Sequence, residues 1–317
     1  MMILRLSTLA LRAILTLSLA VGLGFGFAAI AQTTTPQLSK RQAGYYRVKV
    51  GAAEVIALSD GSIILPALNL LTNAQPGEVE RLLTYAYRNP QVETSVNAYL
   101  IVSESNLVLV DTGGGDLLGP TANKLSAGLA AAGYKPEQIT DILITHSHGD
   151  HVGGLTDGTG MVFPNATIRV ESRELAFWTA PGNGAGAKVR PYLEAGKVKT
   201  FDGNAQLLPG ISAMATPGHT PGHSFYVLES QGEKIVFWGD LMHVAEVQFP
   251  NPSITIAFDS DSRSAAAQRR KAYLEAASIG YLVASTHVSF PGIGRLRPSG
   301  SGYQWFPIPY VNDATNR

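Results

Sequence analysis

The chain has 317 residues, of which 45% are hydrophobic and 15% charged, and its 24 basic residues equal its 24 acidic residues in number. This composition is typical of a globular protein with a substantial buried core and excludes an intrinsically disordered chain. No basic excess indicates a nucleic-acid partner. The chain has no cysteine, which excludes disulfides, a lipid-anchored lipoprotein and thiolate ligands, so any zinc is bound by nitrogen and oxygen.

The first 31 residues have the pattern of a secretory signal peptide. Arg5 and Arg12 precede an uncharged apolar stretch, which ends in the small-residue pattern Ala29-Ile30-Ala31. The stretch is close to the length of a membrane-spanning helix, but its glycines weaken a helix, so we expect cleavage rather than a retained anchor. The expected product is periplasmic or secreted and has no stable membrane anchor.

After cleavage, residues 32–43 are polar and are predicted to form a flexible leader, and residues 44–317 are predicted to fold as one domain. Strands are predicted at 45–50, 54–58, 63–65, 95–102, 106–110, 141–145, 167–171, 211–215, 224–229, 234–238 and 281–285. Helices are predicted at 78–87, 120–132 and 262–278. Mixed strands with interspersed helices predict an α/β domain of stacked sheets flanked by helices.

The strongest functional signal is the segment His146-Ser147-His148-Gly149-Asp150-His151, which follows a predicted apolar strand. A lone histidine is usually structural, but three histidines and an acid within six residues are typical of metal ligands. Loops at strand ends are where rigid scaffolds present reactive groups. The segment therefore predicts a metal site at the end of this strand.

Three more candidate ligands, His219, Asp240 and His287, each follow another apolar strand. Imidazole together with carboxylate suits Zn²⁺, and also Mn²⁺, Fe²⁺ or Co²⁺. Two such ions can share a hydroxide, so that the protein needs no nucleophile of its own. The chain also has no Gly-x-Ser-x-Gly motif for a nucleophilic serine.

The order His-x-His-x-Asp-His, Gly-His-Thr-Pro-Gly-His, Gly-Asp and a late histidine resembles the metallo-β-lactamase superfamily. The resemblance implies an αββα sandwich, in which two mixed sheets are flanked by helices. It implies one divalent ion on His146, His148 and His219, and a second on Asp150, His151 and His287. By the same resemblance, Asp240 bridges the two ions.

Longer stretches resemble the methyl parathion hydrolases and the related bacterial lactonases and arylesterases. These stretches are Ala57–Gly61, Leu107–Gly113, Val247–Phe249, Asp259–Ser262 and Ser289–Gly294. This second resemblance implies a homodimer and an enzyme that acts on a small molecule.

The predicted function is a dinuclear metal-dependent hydrolase that cleaves lactones or aryl esters with a metal-bridging hydroxide. Phosphotriester hydrolysis is the alternative. A β-lactamase is disfavoured by Asp240, because those enzymes generally lack the bridging carboxylate. A non-catalytic metal-binding protein is disfavoured because every ligand position is filled.

Further residues are candidates around this site. Asp111 is predicted to orient a ligand histidine, although a turn role explains it equally well. His223 is predicted either to be structural or to orient the loop of His219. Asp150 is predicted to carry a proton to the leaving group. His243 is predicted either to contact the substrate or to have a structural role, in which it points into the core or only supports the metal loop. Three residues are predicted to line the substrate pocket by comparison with parathion hydrolases: Leu118, Trp178 and His243.

Overall fold

The computed structural model describes residues 42–311. The predicted signal peptide, at residues 1–31, and residues 32–41 of the predicted leader lie outside the described residues. Within residues 42–311, no helix has both the length and the apolar character needed to cross a membrane.

The strands are, in chain order, β1 (Tyr45–Val50), β2 (Ala53–Pro66), β3 (Leu71–Thr72), β4 (Gln91–Val102), β5 (Leu107–Val110), β6 (Asp141–Leu143), β7 (Thr156–Asp157), β8 (Gly160–Met161), β9 (Thr167–Glu171), β10 (Val198–Phe201), β11 (Ala205–Leu208), β12 (Ile211–Ala215), β13 (Ser224–Ser230), β14 (Glu233–Phe237), β15 (Thr255–Ile256), β16 (Leu282–Ala284), β17 (Ile293–Ser299) and β18 (Gly302–Pro307). The helices are α1 (Ala67–Leu70), α2 (Glu78–Tyr85), α3 (Leu125–Ala131), α4 (Gly149–Val152), α5 (Ser172–Trp178), α6 (Gly186–Glu194), α7 (Ala245–Gln248) and α8 (Ser262–Ile279).

Two seven-stranded sheets dominate the fold. The first sheet has the order β1-β2-β4-β5-β6-β9-β10, and the second has the order β11-β12-β13-β14-β16-β17-β18. Both sheets are mixed. In the first sheet, β5, β6, β9 and β10 are parallel to one another. In the second sheet, β14 and β16 are a parallel pair. The other pairs in both sheets are antiparallel.

The apolar core lies in three layers. Between the two sheets, side chains such as Val55 and Tyr99 from the first sheet pack with Ile235 and Phe237 from the second. A second cluster fills the outer face of the first sheet beneath α3, α5 and α6, and a third lies beneath α8 on the second sheet, around Tyr273. This confirms the predicted αββα sandwich.

The structure corrects two predicted elements through one side chain, that of Asp60. The two strands predicted at 54–58 and 63–65 are instead one continuous strand, β2, with a bulge between Ser59 and Gly61. The buried carboxylate of Asp60 accepts the backbone N–H groups of Lys124 and Leu125, at 2.8 and 2.9 Å. It therefore satisfies the first amides of α3, which begins at Leu125 rather than at residue 120.

Four strands end at one edge of the sandwich. β12, β14 and β16 run in the same direction in the second sheet. The end of β6 is joined to them because the carbonyl of Thr145 accepts the N–H of Ser224 at 3.0 Å. The residues that follow these four strands therefore meet in one place.

Candidate metal centre

The loop after β6 is held in place by Asp111, which follows β5. Its carboxylate accepts the backbone N–H of Thr145 at 2.8 Å and the Thr145 hydroxyl at 2.7 Å. The chain then turns into the short helix α4, which begins at Gly149. This turn directs the side chains of His146 and His148 to one side and those of Asp150 and His151 to the other.

The first group of candidate ligands consists of three histidines and one carboxylate oxygen. The Nε2 atoms of His146 and His219 lie 3.1 and 2.9 Å from Nδ1 of His148. Oδ2 of Asp240 lies 3.5 Å from His146 Nε2 and 3.3 Å from His219 Nε2. We call these four residues the three-histidine site.

The second group contains an additional carboxylate. Oδ1 of Asp240 lies 3.0 Å from His151 Nε2 and 3.1 Å from His287 Nε2. Oδ2 of Asp150 lies 3.2 Å from His287 Nε2. We call these four residues the two-carboxylate site. Asp240 belongs to both sites and turns one oxygen towards each.

The hydrogen bonds behind the histidines show which nitrogens carry lone pairs. The Thr145 hydroxyl donates to Asp111, so it accepts from Nδ1 of His146 at 3.2 Å. Asp259 accepts from Nδ1 of His219 at 2.9 Å. A neutral imidazole that donates through Nδ1 has its lone pair on Nε2. The Nε2 lone pairs of His146 and His219 therefore point into the three-histidine site.

These donor sets fit two divalent cations. Lone pairs that face one another at about 3 Å in a buried centre repel, and a cation between them removes the repulsion. In addition, His151 Nε2 and Asp240 Oδ1 are buried and have no hydrogen-bond partner among residues 42–311. Buried polar atoms without a partner are rare and call for a bound ion. In each site, all candidate ligand atoms lie within 4.8 Å of one another.

The remaining contacts fix the orientation of the candidate ligands. Asp111 accepts from Nδ1 of His151 at 2.8 Å, and the carbonyl of Ser95 accepts from Nδ1 of His287 at 2.8 Å. His223 lies behind Asp240, whose backbone N–H donates to its Nε2 at 3.2 Å. The structure therefore places Asp111 in contact with His151, and His223 in contact with Asp240.

The charges of the two sites differ. Burial lowers the pKa of His146 well below its usual value and that of His148 to about 4. At His219, burial is outweighed by the carboxylates of Asp240 and Asp259, which raise its pKa. Burial also acts on His287, but the carboxylates of Asp240 and Asp150 outweigh it and raise its pKa to about 10. The histidines in turn outweigh burial at Asp240 and hold the pKa of that carboxyl well below its usual value.

Asp259 was missed by the sequence reasoning as a contact of a candidate ligand. Its carboxylate is fully buried and accepts from His219. The only signal is its position in Asp259-Ser260-Asp261-Ser262, ahead of α8. The N-cap of that helix is Asp261, whose side chain accepts the Ser264 N–H at 3.0 Å. Two acids two residues apart cannot be distinguished by sequence pattern alone.

His243 faces the metal centre. Its Nε2 lies 3.0 Å from Oδ2 of Asp240, and its ring stacks on that of His287 with centroids 5.1 Å apart. The ring of Phe258 also packs against that of His243, with ring centroids 6.0 Å apart, and Phe258 is 42% exposed. The structure therefore places His243 against the candidate ligands Asp240 and His287.

The structure contradicts the predicted pocket role of Trp178. Its side chain is fully buried in the core of the first sheet, and its Nε1 donates to the carbonyl of Ala185 at 2.8 Å. Leu118 is half-buried and folds over Gly114. The neighbouring Leu117 is 49% exposed and lies against Gly149 of the histidine loop.

The chain belongs to the metallo-beta-lactamase superfamily, whose family model matches residues 92–287. It is a metal-dependent hydrolase, because its relatives are hydrolases of this fold and its histidines and aspartates form two candidate metal sites. The oxygen and nitrogen donors, the bridging position of Asp240 and the sandwich all agree with this assignment.

Among curated proteins, an N-acyl homoserine lactonase from a Bacillus species is 26% identical over 199 residues, which cover 57% of this chain and 76% of the relative. Two solved structures extend the likeness. The hydrolase AbOPH is 34% identical, with a TM-score of 0.82 over 86% of this chain and 100% of its own. The dizinc quorum-quenching lactonase AidC, in complex with its product, is 28% identical, with a TM-score of 0.79 over 85% and 99% of the two chains.

Proposed function

We propose that this protein hydrolyses lactones or aryl esters with two divalent metal ions, and that a lactone is the preferred substrate. The observation that carries the proposal is the position of Asp240, whose two carboxylate oxygens face different groups of histidines. A single carboxylate in this position suits two ions about 3.5–4 Å apart.

The ions are assigned to the two sites described above, and zinc suits their nitrogen and oxygen donors, with manganese, iron or cobalt as alternatives. When bound, such a pair acidifies a water molecule and polarises the carbonyl of the ester. The protein's part is to fix the spacing of the pair through Asp240 and to orient each histidine from behind. Asp111 and Asp259 do this for His151 and His219.

Asp150 is the candidate proton carrier. Its side chain is 16% exposed, whereas those of Asp240 and His287 are 2% and 1% exposed. Among the candidate carboxylates at the centre, Asp150 therefore has the better access to the side from which substrate arrives. A carboxylate there can take a proton from the attacking water and deliver it to the leaving oxygen.

His243 supports the choice of a lactone. The leaving oxygen of a lactone stays tethered and polar, and an imidazole beside Asp240 offers it a hydrogen bond. A dialkyl aryl phosphotriester has apolar flanks, and burying them against His243 costs desolvation of the imidazole without a matching hydrogen bond. The lactonase names of several relatives point the same way.

A phosphotriester is the second candidate because two exposed apolar side chains, Leu117 and Phe258, flank the centre. They suit the apolar flanks of such a substrate, and they equally suit an acyl chain attached to a lactone. The decision therefore depends on measured turnover rather than on these two residues.

The test is a turnover panel on metal-replete protein with an acyl lactone, an aryl ester, a phosphotriester and a cephalosporin. We expect the highest kcat/KM with the lactone. Highest turnover of the phosphotriester would overturn the preferred substrate, and turnover of none of them would overturn the proposed reaction. Asp240→Asn is the matched control, because it keeps the shape of the centre and removes the bridging charge.

A further inference from the structure

The carboxylate of Glu174, in the first turn of α5, lies between the two loops that supply the three histidines of the three-histidine site. Its side chain is fully buried. Oε1 accepts the backbone N–H and the hydroxyl of Ser147, at 2.7 and 2.6 Å. Oε2 accepts the hydroxyl of Thr220 at 2.6 Å and the backbone N–H of Gly222 at 3.0 Å. Each oxygen is therefore committed to one loop.

The arrangement depends on close packing around the start of α5. Glu171, at the end of β9, accepts the backbone N–H of Glu174 and so fixes the helix start. A Cβ at Gly222 would lie only 2.3 Å from the Glu174 backbone nitrogen, so only glycine permits this approach. A buried carboxylate is costly unless it is hydrogen-bonded, and four donors satisfy this one.

The residues that Glu174 contacts alternate with the candidate ligands. Ser147 lies between His146 and His148 in the sequence, and Thr220 directly follows His219. Among residues 42–311, the hydrogen bonds of Glu174 do not reach the segments of Asp240 and His287, which supply two of the four ligands of the two-carboxylate site. The other two ligands, Asp150 and His151, lie beyond His148 in the helix α4. The bonds to Glu174 therefore span the two loops of one metal site.

We propose that Glu174 is a positioning residue that sets the spacing of the three-histidine site, and so the affinity of that site for its metal ion. The inference rests on the proposed metal centre and adds a residue that acts through the loops without binding metal. The backbone bond between Ser224 and Thr145 also joins the two loops. The loops thus stay connected when Glu174 is replaced. What is lost is the set of hydrogen bonds that joins Ser147 and Thr220, beside the histidines, to one carboxylate.

Glu174→Gln is the main test, because glutamine keeps the size of the side chain. Its amide oxygen can still accept from one loop, but its NH₂ group then faces the donors of the other. We expect the metal affinity of the three-histidine site to fall by about 10- to 100-fold, the range for residues that orient metal ligands. The affinity of the two-carboxylate site should change by less than about threefold.

The affinities are measured by chelator competition with zinc, and independently through the absorption spectrum of the cobalt-substituted protein. A His148→Ala variant identifies which binding step belongs to the three-histidine site. Thr220→Val removes one donor and should produce a smaller loss. If Thr220 acts through Glu174, adding Thr220→Val to Glu174→Gln should weaken binding no further.

Asp141→Asn is the matched control. Asp141 is a buried carboxylate at the start of β6 and pairs with Arg169 at 2.7 Å, at the end of the strand away from the histidine loop. It should lower the Tm and leave both metal affinities unchanged. If Glu174→Gln behaves like this control, or weakens both sites equally, the proposal is wrong. Wild-type protein that binds fewer than two ions would instead overturn the proposed function, and that result is visible without any variant.

Discussion

The two metal sites share Asp240 but differ in charge. The three-histidine site has a half-share of one carboxylate, whereas the two-carboxylate site adds Asp150. The same burial that lowers the pKa of His148 to about 4 is outweighed at His287, whose pKa is raised to about 10. Both sites therefore combine nitrogen donors with Asp240, and the two-carboxylate site adds the negative charge of Asp150.

The sites are alike in how their histidines are supported. Asp259 accepts from His219 in the first site, and Asp111 accepts from His151 in the second. In both cases a buried carboxylate fixes the ring and leaves Nε2 for the metal. The difference between the sites therefore lies in their ligands rather than in the residues behind them, and variants can separate the two contributions.

Asp240→Asn should have the largest effect because it acts on both sites. The amide keeps the shape but loses the charge between two cations. We expect loss of at least one metal ion and a fall in kcat of more than about 100-fold, beyond the usual effect of a residue that only orients ligands. Metal analysis and ester turnover measure this. Two tightly bound ions with a near-normal rate would show that Asp240 is not a bridge.

Asp111→Asn and Asp259→Asn form a matched pair that separates the sites. Asp259→Asn removes the charge behind His219 and should weaken the three-histidine site by about 10- to 100-fold while sparing the other. Asp111→Asn should weaken the two-carboxylate site by a similar factor through His151, and the three-histidine site less, because Asp111 reaches His146 only through Thr145. Chelator competition on both variants distinguishes the two binding steps. If both variants weaken the same step most, the assignment of the histidines to separate ions is incorrect.

His243→Leu tests the side on which substrate meets the centre. It removes a polar group beside Asp240 without removing a member of either site. We expect lactone kcat/KM to fall about tenfold, or roughly 1.4 kcal/mol, and phosphotriester kcat/KM to rise, with metal content unchanged. Loss of both activities together with metal would assign His243 a structural role instead.

Trp178→Phe should have the smallest effect on the site. The indole is fully buried and bonded to Ala185, so the variant loses packing and one hydrogen bond, about 1–3 kcal/mol of stability. The Tm should fall while KM for every substrate stays within about twofold. A change in KM for one substrate and not for the others would instead show that Trp178 lines the substrate pocket.

The sequence was most informative where strands lead into ligands. The apolar runs of β6, β12, β14 and β16 predict buried strands, and the polar residue after each predicts a site at their ends. The two-sheet architecture itself came from resemblance, because periodicity does not show which strands pair. Helix α8 was predicted from Ser262 to within one residue of its end at Ile279, since it is long and has a capping acid.

Features that depend on distant contacts were not predictable in this way. The start of helix α3 depends on Asp60, which lies in the distant strand β2. Trp178 resembles a pocket residue in the sequence, but the packing of α6 buries it. Glu174 and Asp259 become recognisable only when the fold brings their carboxylates to the histidine loops, because a single acid near a helix start is most often a cap.

The origin of the ligands has a consequence for folding. His146 to His151 follow a strand of the first sheet, whereas His219, Asp240 and His287 follow strands of the second. Two bound ions would therefore cross-link the two sheets in a chain that has no cysteine. By mass action, an ion present at 100 times its Kd adds about 2.7 kcal/mol to the free energy of unfolding. Removing the ions with a chelator should therefore lower the free energy of unfolding, with the largest effect at the edge where the two sheets meet. The concentration of free metal would then control the stability of the protein as well as its activity.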